Sequence, residues 1–479
     1  MTKLRSVYIT FFTTEKLYSR ITNELRQCFE ERDIHLLDKI VVISLVEDGS
    51  LPLGRGNLDA AFGIAYEKLV NGEPVECMHT GVQHCTDLIP AAVVVDLYGR
   101  TPLETVRRVS HERIKVFAWF AGAASILFRI GGPSTIGGIG DLRAKSSYQA
   151  GLIKSSIEEA AGLISLGNTD CLIYIPGLPL IYDHECQPQK LIGTESQVGE
   201  LMLVAHDVLK LCDGLILATP EDYEAEATAA LRSWFEETSC GVYACGPLIS
   251  QPQQTDEVVE TYRIRQFLES SQERCGTRSL LYFYFGSVHW PREVDKFIAI
   301  LEAVMERGLP YILGHTSPYF PLSATVIQKV RSYDKALLTR KPLQRLILRH
   351  PVTAWYVTHA DHENVIEAIW EGVPMICWPF AFDQPMNAAR LSHTLDVAFE
   401  LFQIRSSAGL KRVHRLGKAP DGTVEAVRYE IKSILRRAFG EDGKRKRKNV
   451  VKLQEQFRRS WDKRGNAWTQ LDIFLRSLS

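Results

Sequence analysis

Residues 344–387 read QRLILRHPVTAWYVTHADHENVIEAIWEGVPMICWPFAFDQPMN. Ala354, Trp355, Tyr356 and Val357 form a short apolar, β-favouring run. Residues 364–371 have helix-forming composition, with Val365, Ile366, Ile369 and Trp370 at mixed i, i+3 and i+4 spacing. The segment between them, HADHEN, is therefore a strand-to-helix loop. Such a loop brings free backbone N–H groups and the positive end of a helix dipole to one point, which favours an anionic group such as a diphosphate. His359 is placed to donate to a phosphate oxygen, and Glu367, further into the helix, to accept from ribose hydroxyls. A second loop follows the apolar run 373–378 and carries Asp383 and Gln384. An adjacent carboxylate and amide suit the vicinal hydroxyls of a sugar, since each can engage more than one of them. A lone His or a lone Asp-Gln pair is as a rule structural or solvated; the joint spacing is what points to a site.

Outward from this stretch, strand and helix signals alternate. Residues 6–13 (SVYITFFT) predict a strand, 15–32 a helix, 39–45 a strand and 92–96 a buried strand. Strands alternating with helices imply a parallel sheet covered on both faces, whose ligands bind at the strands' carboxyl ends. Asp96, which ends AAVVVD, is placed there. Runs at 215–217 and 241–244 close a first domain at Cys245-Gly-Pro-Leu248, and the polar stretch 251–261 reads as a linker. A second series starts at 279–285 and passes through 311–313 before reaching the quoted stretch. The glycine-rich residues 131–140 (GGPSTIGGIG) lack the Lys-Ser/Thr ending of a phosphate loop and read as a mobile loop. The run Lys444-Arg-Lys-Arg-Lys448 opens a helix and reads as a solvated face.

Composition agrees with a two-domain enzyme. The 479 residues exceed the roughly 250 to 300 at which one core stops growing. Hydrophobic content of 45% and charged content of 24% are ordinary for a soluble globular chain. A net charge of −1 gives no electrostatic reason to expect attraction to nucleic acid or membrane, so small-molecule chemistry is the better reading. No stretch reaches the roughly 20 apolar residues of a membrane span, and the start has no cleavage pattern, so the chain reads as cytoplasmic. The ten cysteines form no paired framework. Cys77-Met-His79 and His84-Cys85 match no zinc spacing.

The motifs resemble those of the family 1 UDP-glycosyltransferases. The family signature is matched by Gln344, Leu348, His350, Pro351, Val357 to His359, Glu367, Gly372 to Met375, Trp378, Pro379, Asp383, Gln384, Asn387 and Ala388. Tyr284-Phe-Gly286-Ser287 resembles the family's Phe-Gly-Ser, whose small residues let the backbone approach the diphosphate. The resemblance implies an α/β fold of two Rossmann-like parallel-sheet domains facing a cleft (GT-B type). Residues 1–247 would bind the acceptor, 248–445 the UDP-sugar, and 446–479 would form a C-terminal helix crossing back to the first domain. It implies inverting transfer of a sugar from a UDP-sugar to a hydroxyl, with no metal and no further cofactor. Gly286, Ser287, Gln344, His359, Asn364, Glu367, Asp383 and Gln384 would hold the donor. Asp96 would be the carboxylate that orients a catalytic His. Gln384 favours glucose, with xylose as the second choice. The acceptor would be an apolar small molecule, such as the terpenoids and sterols tailored by fungal members, lying against Phe117, Trp119, Phe120, Leu127 and Phe128. No nucleic acid and no integral membrane segment is expected.

The chain also departs from the family. The usual His-Cys-Gly-x-Asn-Ser is here His359-Ala-Asp361-His362-Glu363-Asn364, which would set two carboxylates against the diphosphate. Lys341 stands where a Trp usually stacks on uracil. The strand ending in the catalytic His is expected ahead of residues 6–13, so Met1 would correspond to an internal methionine of a longer chain. A catalytically silent binding protein of the same fold is the competing expectation. A metallohydrolase is the remote one, because Thr358-His-Ala-Asp-His362 carries three of the four ligands of a His-x-His-x-Asp-His motif.

Overall fold

The computed structural model describes residues 1–46, 56–86, 88–111, 113–167, 170–190, 193–249 and 258–478. Two parallel sheets dominate it. In the first half β1 (Ile9–Thr14) pairs with β2 (Ile40–Val46), while β3 (Ala92–Asp96), β4 (Lys115–Phe120), β5 (Gly214–Leu217) and β6 (Gly241–Ala244) form a separate sheet ordered β6-β5-β4-β3. Among the described residues no ladder joins the two. In the second half β7 (Leu280–Tyr284), β8 (Tyr311–Gly314), β9 (Ala336–Thr339), β10 (Thr353–Thr358), β11 (Met375–Cys377) and β12 (Ala398–Glu400) lie in the order β9-β8-β7-β10-β11-β12. All five pairings are parallel. This order reverses between β7 and β10, so a crevice opens between their carboxyl ends, where open α/β sheets bind ligands.

Helix α1 (Glu15–Cys28) stops short of the expected residue 32, because Phe29 turns to extended backbone and a 3-10 segment (Glu31–Lys39) follows. The linker expected over 251–261 falls largely at 251–257, outside the described residues, and a helix already runs from Val258 to Cys275. Residues 131–140 form a packed turn and no mobile loop. Gly137 has φ +100°, and a Cβ there would lie 1.4 Å from the Tyr174 carbonyl oxygen, so glycine serves close approach rather than mobility. The basic run is solvated at Lys444, Arg445 and Lys448 but packs inward at its other two residues. Lys446 is buried against Asp396, and Arg447 donates to the carbonyls of Gly372 and Ala354, so the helix Glu441–Arg459 clamps the second sheet's helices.

Phe117, Phe120, Leu127 and Phe128 are buried in the first half and line no cleft. β4 is an inner strand of a parallel sheet with cover on both faces, so side chains of both parities go to the core. Helix α2 (His362–Trp370) follows β10, and helix α3 (Asn466–Arg476) ends the chain. α3 lies on the first sheet: Phe474 meets Phe117 edge-on at 5.0 Å between ring centres, and Asp472 pairs with Arg5 at 3.1 Å. The halves also meet through a buried charge chain, in which Glu185 accepts from Arg415 (3.2 Å), Arg415 donates to Glu400 (2.7 Å) and Glu400 accepts from Arg405 (3.0 Å). No described helix is long and apolar enough to cross a membrane.

Candidate functional site

The crevice between β7 and β10 is lined by Gly286 and Ser287 on one side and by the loop His359-Ala360-Asp361 on the other. Gly286 has φ +70°, and a Cβ on it would stand 3.1 Å from His359 Nε2, so only glycine lets the two strand ends approach this closely. Ser287 is exposed at the mouth and His359 is buried. Ala360 (φ +65°) and Phe382 (φ +57°) are non-glycine residues held in the left-handed region, a strain that concentrates at functional loops.

The carboxylate of Asp361 does not face outward as a bare charge. It is the N-cap of α2: Oδ1 accepts from Asn364 N at 2.9 Å, and Oδ2 lies 2.9 Å from His359 Nε2. Burial alone would raise the pKa of Asp361, but His359 and the hydrogen bonds from His359 and Asn364 outweigh it and hold the carboxyl well below its ordinary range. Asp383 closes the same helix end, accepting from His362 N and from Asn387 Nδ2, both at 2.9 Å. Burial, with Asp361 beside it, pushes Asp383 up to about 7. The helix terminus offered by the sequence to an anion is thus partly satisfied by the chain's own carboxylates. Glu363, in the first turn, is exposed and raised by desolvation and by Asp361; Arg20 and Glu24 of α1 act on it from across the cleft.

Behind the loop stands a polar ring. Gln344 Nε2 donates to Asn364 Oδ1 at 2.7 Å and to Glu367 Oε2 at 2.6 Å, and the Tyr356 hydroxyl lies 2.9 Å from Gln344 Oε1. Burial pushes the Glu367 carboxyl up to about 7 against the pull of Gln344. Gln384 is buried, its Oε1 accepting from Phe380 N at 2.8 Å and from Ala381 N at 3.3 Å. Its Nε2 lies 3.2 Å from His289 Nδ1. His289 was not legible as a site residue; the only signal was a histidine three positions beyond Gly286.

Asp96 belongs to the other half, at the carboxyl end of β3 opposite Trp119, where its Oδ1 accepts from Tyr98 N at 3.0 Å. Lys341 lines a hollow of about 500 Å³ with Arg263, Arg331, Arg340 and Glu260. His359, Asp361 and His362 do not converge as metal ligands, since the buried His362 ring is turned towards Tyr223. Among the described residues the one group with ligand atoms in range is Asp170, Asp183 and His184, where Lys411 already pairs with Asp170.

Asp361→Gly should tighten UDP binding about fivefold or more. A like charge at roughly 4 Å costs about 1 kcal/mol even in water, and glycine at an N-cap costs only a few tenths. Calorimetry measures it; unchanged or weaker binding would mean that the carboxylate serves the ligand through His359.

A six-stranded parallel sheet of this order, with polar side chains gathered at its switch point and a second parallel-sheet domain beside it, is the architecture of the GT-B fold. A family profile described as UDP-glucoronosyl and UDP-glucosyl transferase matches residues 261–413. UDP-glycosyltransferase eriJ of Hericium erinaceus is 28% identical over 310 residues, covering 62% of this chain and 60% of that protein. An anthocyanidin 3-O-glucosyltransferase of Zea mays is 29% identical over 185 residues, 38% of this chain and 39% of that one. These alignments thus span less than two thirds of either relative. Among solved structures, a UGT transferase from Siraitia grosvenorii in complex with UDP superposes with a TM-score of 0.68 at 18% identity over 99% of this chain and 100% of that chain. Medicago truncatula UGT71G1 complexed with UDP-glucose gives 0.67 at 16% identity over 98% and 91%. The match to the UDP-glucoronosyl and UDP-glucosyl transferase profile thus covers the second half of the chain, and the superpositions give both halves the fold of the UDP-glycosyltransferases.

Proposed function

We propose that the protein moves a sugar from a UDP-sugar to a hydroxyl of an apolar small molecule, with inversion, glucose being the first-choice donor and xylose the second. The observation that supports this reading best is the joint placement of Gly286, Ser287, His359, Gln344, Asn364, Glu367, Asp383 and Gln384 around one crevice. Glu367 is assigned to the ribose diol, Ser287 and His359 to the diphosphate, and Asp383 with Gln384 to the sugar. The acceptor oxygen forms its bond to the sugar C1 on the face opposite the diphosphate, and the C1–O bond to phosphate breaks with its electron pair going to UDP. His359 and the start of α2 stabilise that charge. The acceptor's proton passes to a general base on the side of the first domain, which Asp96 would orient as its carboxylate partner.

The exposed ring of Phe382 supplies apolar surface at the cavity between the halves in place of the core residues Phe117, Phe120, Leu127 and Phe128, while Trp119 packs towards the C-terminal helix; an apolar wall is compatible with terpenoid or sterol acceptors. One observation favours the silent-protein reading: Asp361 and Asp383 already occupy N–H donors of α2. Incubation with UDP-glucose, UDP-xylose and a panel of terpenoid and sterol alcohols separates the two. A β-glycoside with release of UDP is expected. UDP-glucose binding without product would favour the silent reading, and an α-glycoside would refute inversion.

A further inference from the structure

Between the halves lies a second cavity, of about 260 Å³, walled by Gln189 and Lys190 from the first half and by His289, Arg292, Phe380 and Phe382 from the second. At roughly 30 Å³ per water it holds about nine waters or one monosaccharide ring. His289 is buried in its wall, its ring stacked on Phe380 at 5.5 Å with 22° between planes. The hydrogen bonds around Gln384 set the state of this ring. Gln384 Oε1 accepts from two backbone N–H groups, which fixes the amide's orientation and leaves Nε2 as the donor to His289 Nδ1. A nitrogen that accepts carries no proton, so in the neutral imidazole the single N–H is on Nε2. Among the described residues Nε2 has no protein partner and is not sealed in the core. Burial, with His359 nearby, lowers the pKa of His289 to about 4, which keeps the ring neutral at physiological pH.

Resting on the transferase reading, we propose that His289 is a specificity-determining residue in contact with the transferred sugar, presenting Nε2–H to a sugar oxygen while Gln384 holds the ring from behind. One of the two amide N–H groups of Gln384 points at the imidazole, so Gln384 supports His289 beside its own place at the sugar. The same geometry denies His289 the role of general base, since Nε2 already carries the proton. A phosphate oxygen of UDP is the other oxygen acceptor within the crevice, as the rings of His289 and His359 are 5.7 Å apart.

Calorimetry with UDP and with UDP-glucose on the parent, His289→Ala and His289→Gln tests the assignment, with circular dichroism to confirm folding. His289→Ala should weaken UDP-glucose about 5- to 10-fold, the size of one hydrogen bond, and leave UDP within about twofold. His289→Gln, which returns an amide N–H near the Nε2 position, should recover most of the loss. Histidine nitrogen NMR of the parent should show Nε2 protonated and Nδ1 bare between pH 6 and 8. Equal loss of UDP and UDP-glucose would move the contact to a phosphate and overturn the proposal, as would no loss, or a proton on Nδ1. A parent that binds neither ligand refutes the transferase reading itself; intact parent binding with an indifferent His289→Ala refutes only the sugar contact.

Discussion

UDP-glucose binding is expected to fall about 10- to 100-fold when Glu367 is replaced by Ala, because hydrogen bonds to a charged group contribute about 1.5 to 3 kcal/mol. Gln344 holds one carboxylate oxygen at 2.6 Å, which orients the group without using its other oxygen. Calorimetry on the folded variant is the measurement, and affinity equal to the parent's would remove Glu367 from the site. The same carboxyl predicts a pH dependence. With its pKa raised to about 7, it is largely protonated at pH 6, and ribose hydroxyls donate best to the ionised form. Affinity of the parent should therefore rise from pH 6 to pH 8, and that of Glu367→Gln should be flatter. Stability runs the other way. A raised folded pKa means that the folded state holds the proton more tightly, so the contribution of Glu367 is full below its unfolded pKa near 4.3 and is lost as pH rises through about 7. Glu367→Gln should thus gain stability relative to the parent across that window.

Glu400→Gln is expected to destabilise the fold by about 3 to 5 kcal/mol, the effect of removing one partner from buried ion pairs. Glu400 and Arg405 are fully buried, and Glu400 also receives Arg415, which reaches on to Glu185 in the first half. Without the carboxylate two guanidinium groups would share a space with too few acceptors; Arg405 Nε and Nη1 already lack partners among the described residues. Urea denaturation measures the loss. Adding Arg405→Met to Glu400→Gln should recover part of it, since an apolar replacement needs no counter-charge. A single variant as stable as the parent would show that the charge chain does not hold the halves together.

Much of the second domain was legible because its signals are local. The strand at 354–357, the loop HADHEN and the helix after it are set by apolar runs and helix-forming residues a few positions apart, and the structure has β10 and α2 at those places. The strand 92–96 was readable for the same reason, whereas the last helix was implied by the family resemblance. The acceptor wall was misassigned because a period-2 or aromatic-rich run does not tell which sheet position it will occupy, and β4 became an inner strand with both faces covered.

What the sequence by itself determined is the identity and spacing of the groups at the crevice and the alternation that makes the sheets parallel. Only the tertiary structure decided which way those groups point. The structure turns Asp361 onto Asn364 N and His359, and it fixes the orientation of the Gln384 amide through Phe380 N, Ala381 N and His289. The physical reason is that a polar side chain removed from water must take the partners that folding brings within about 3 Å, and these combine neighbours along the loop with distant groups, such as His289 for Gln384, that no local pattern announces.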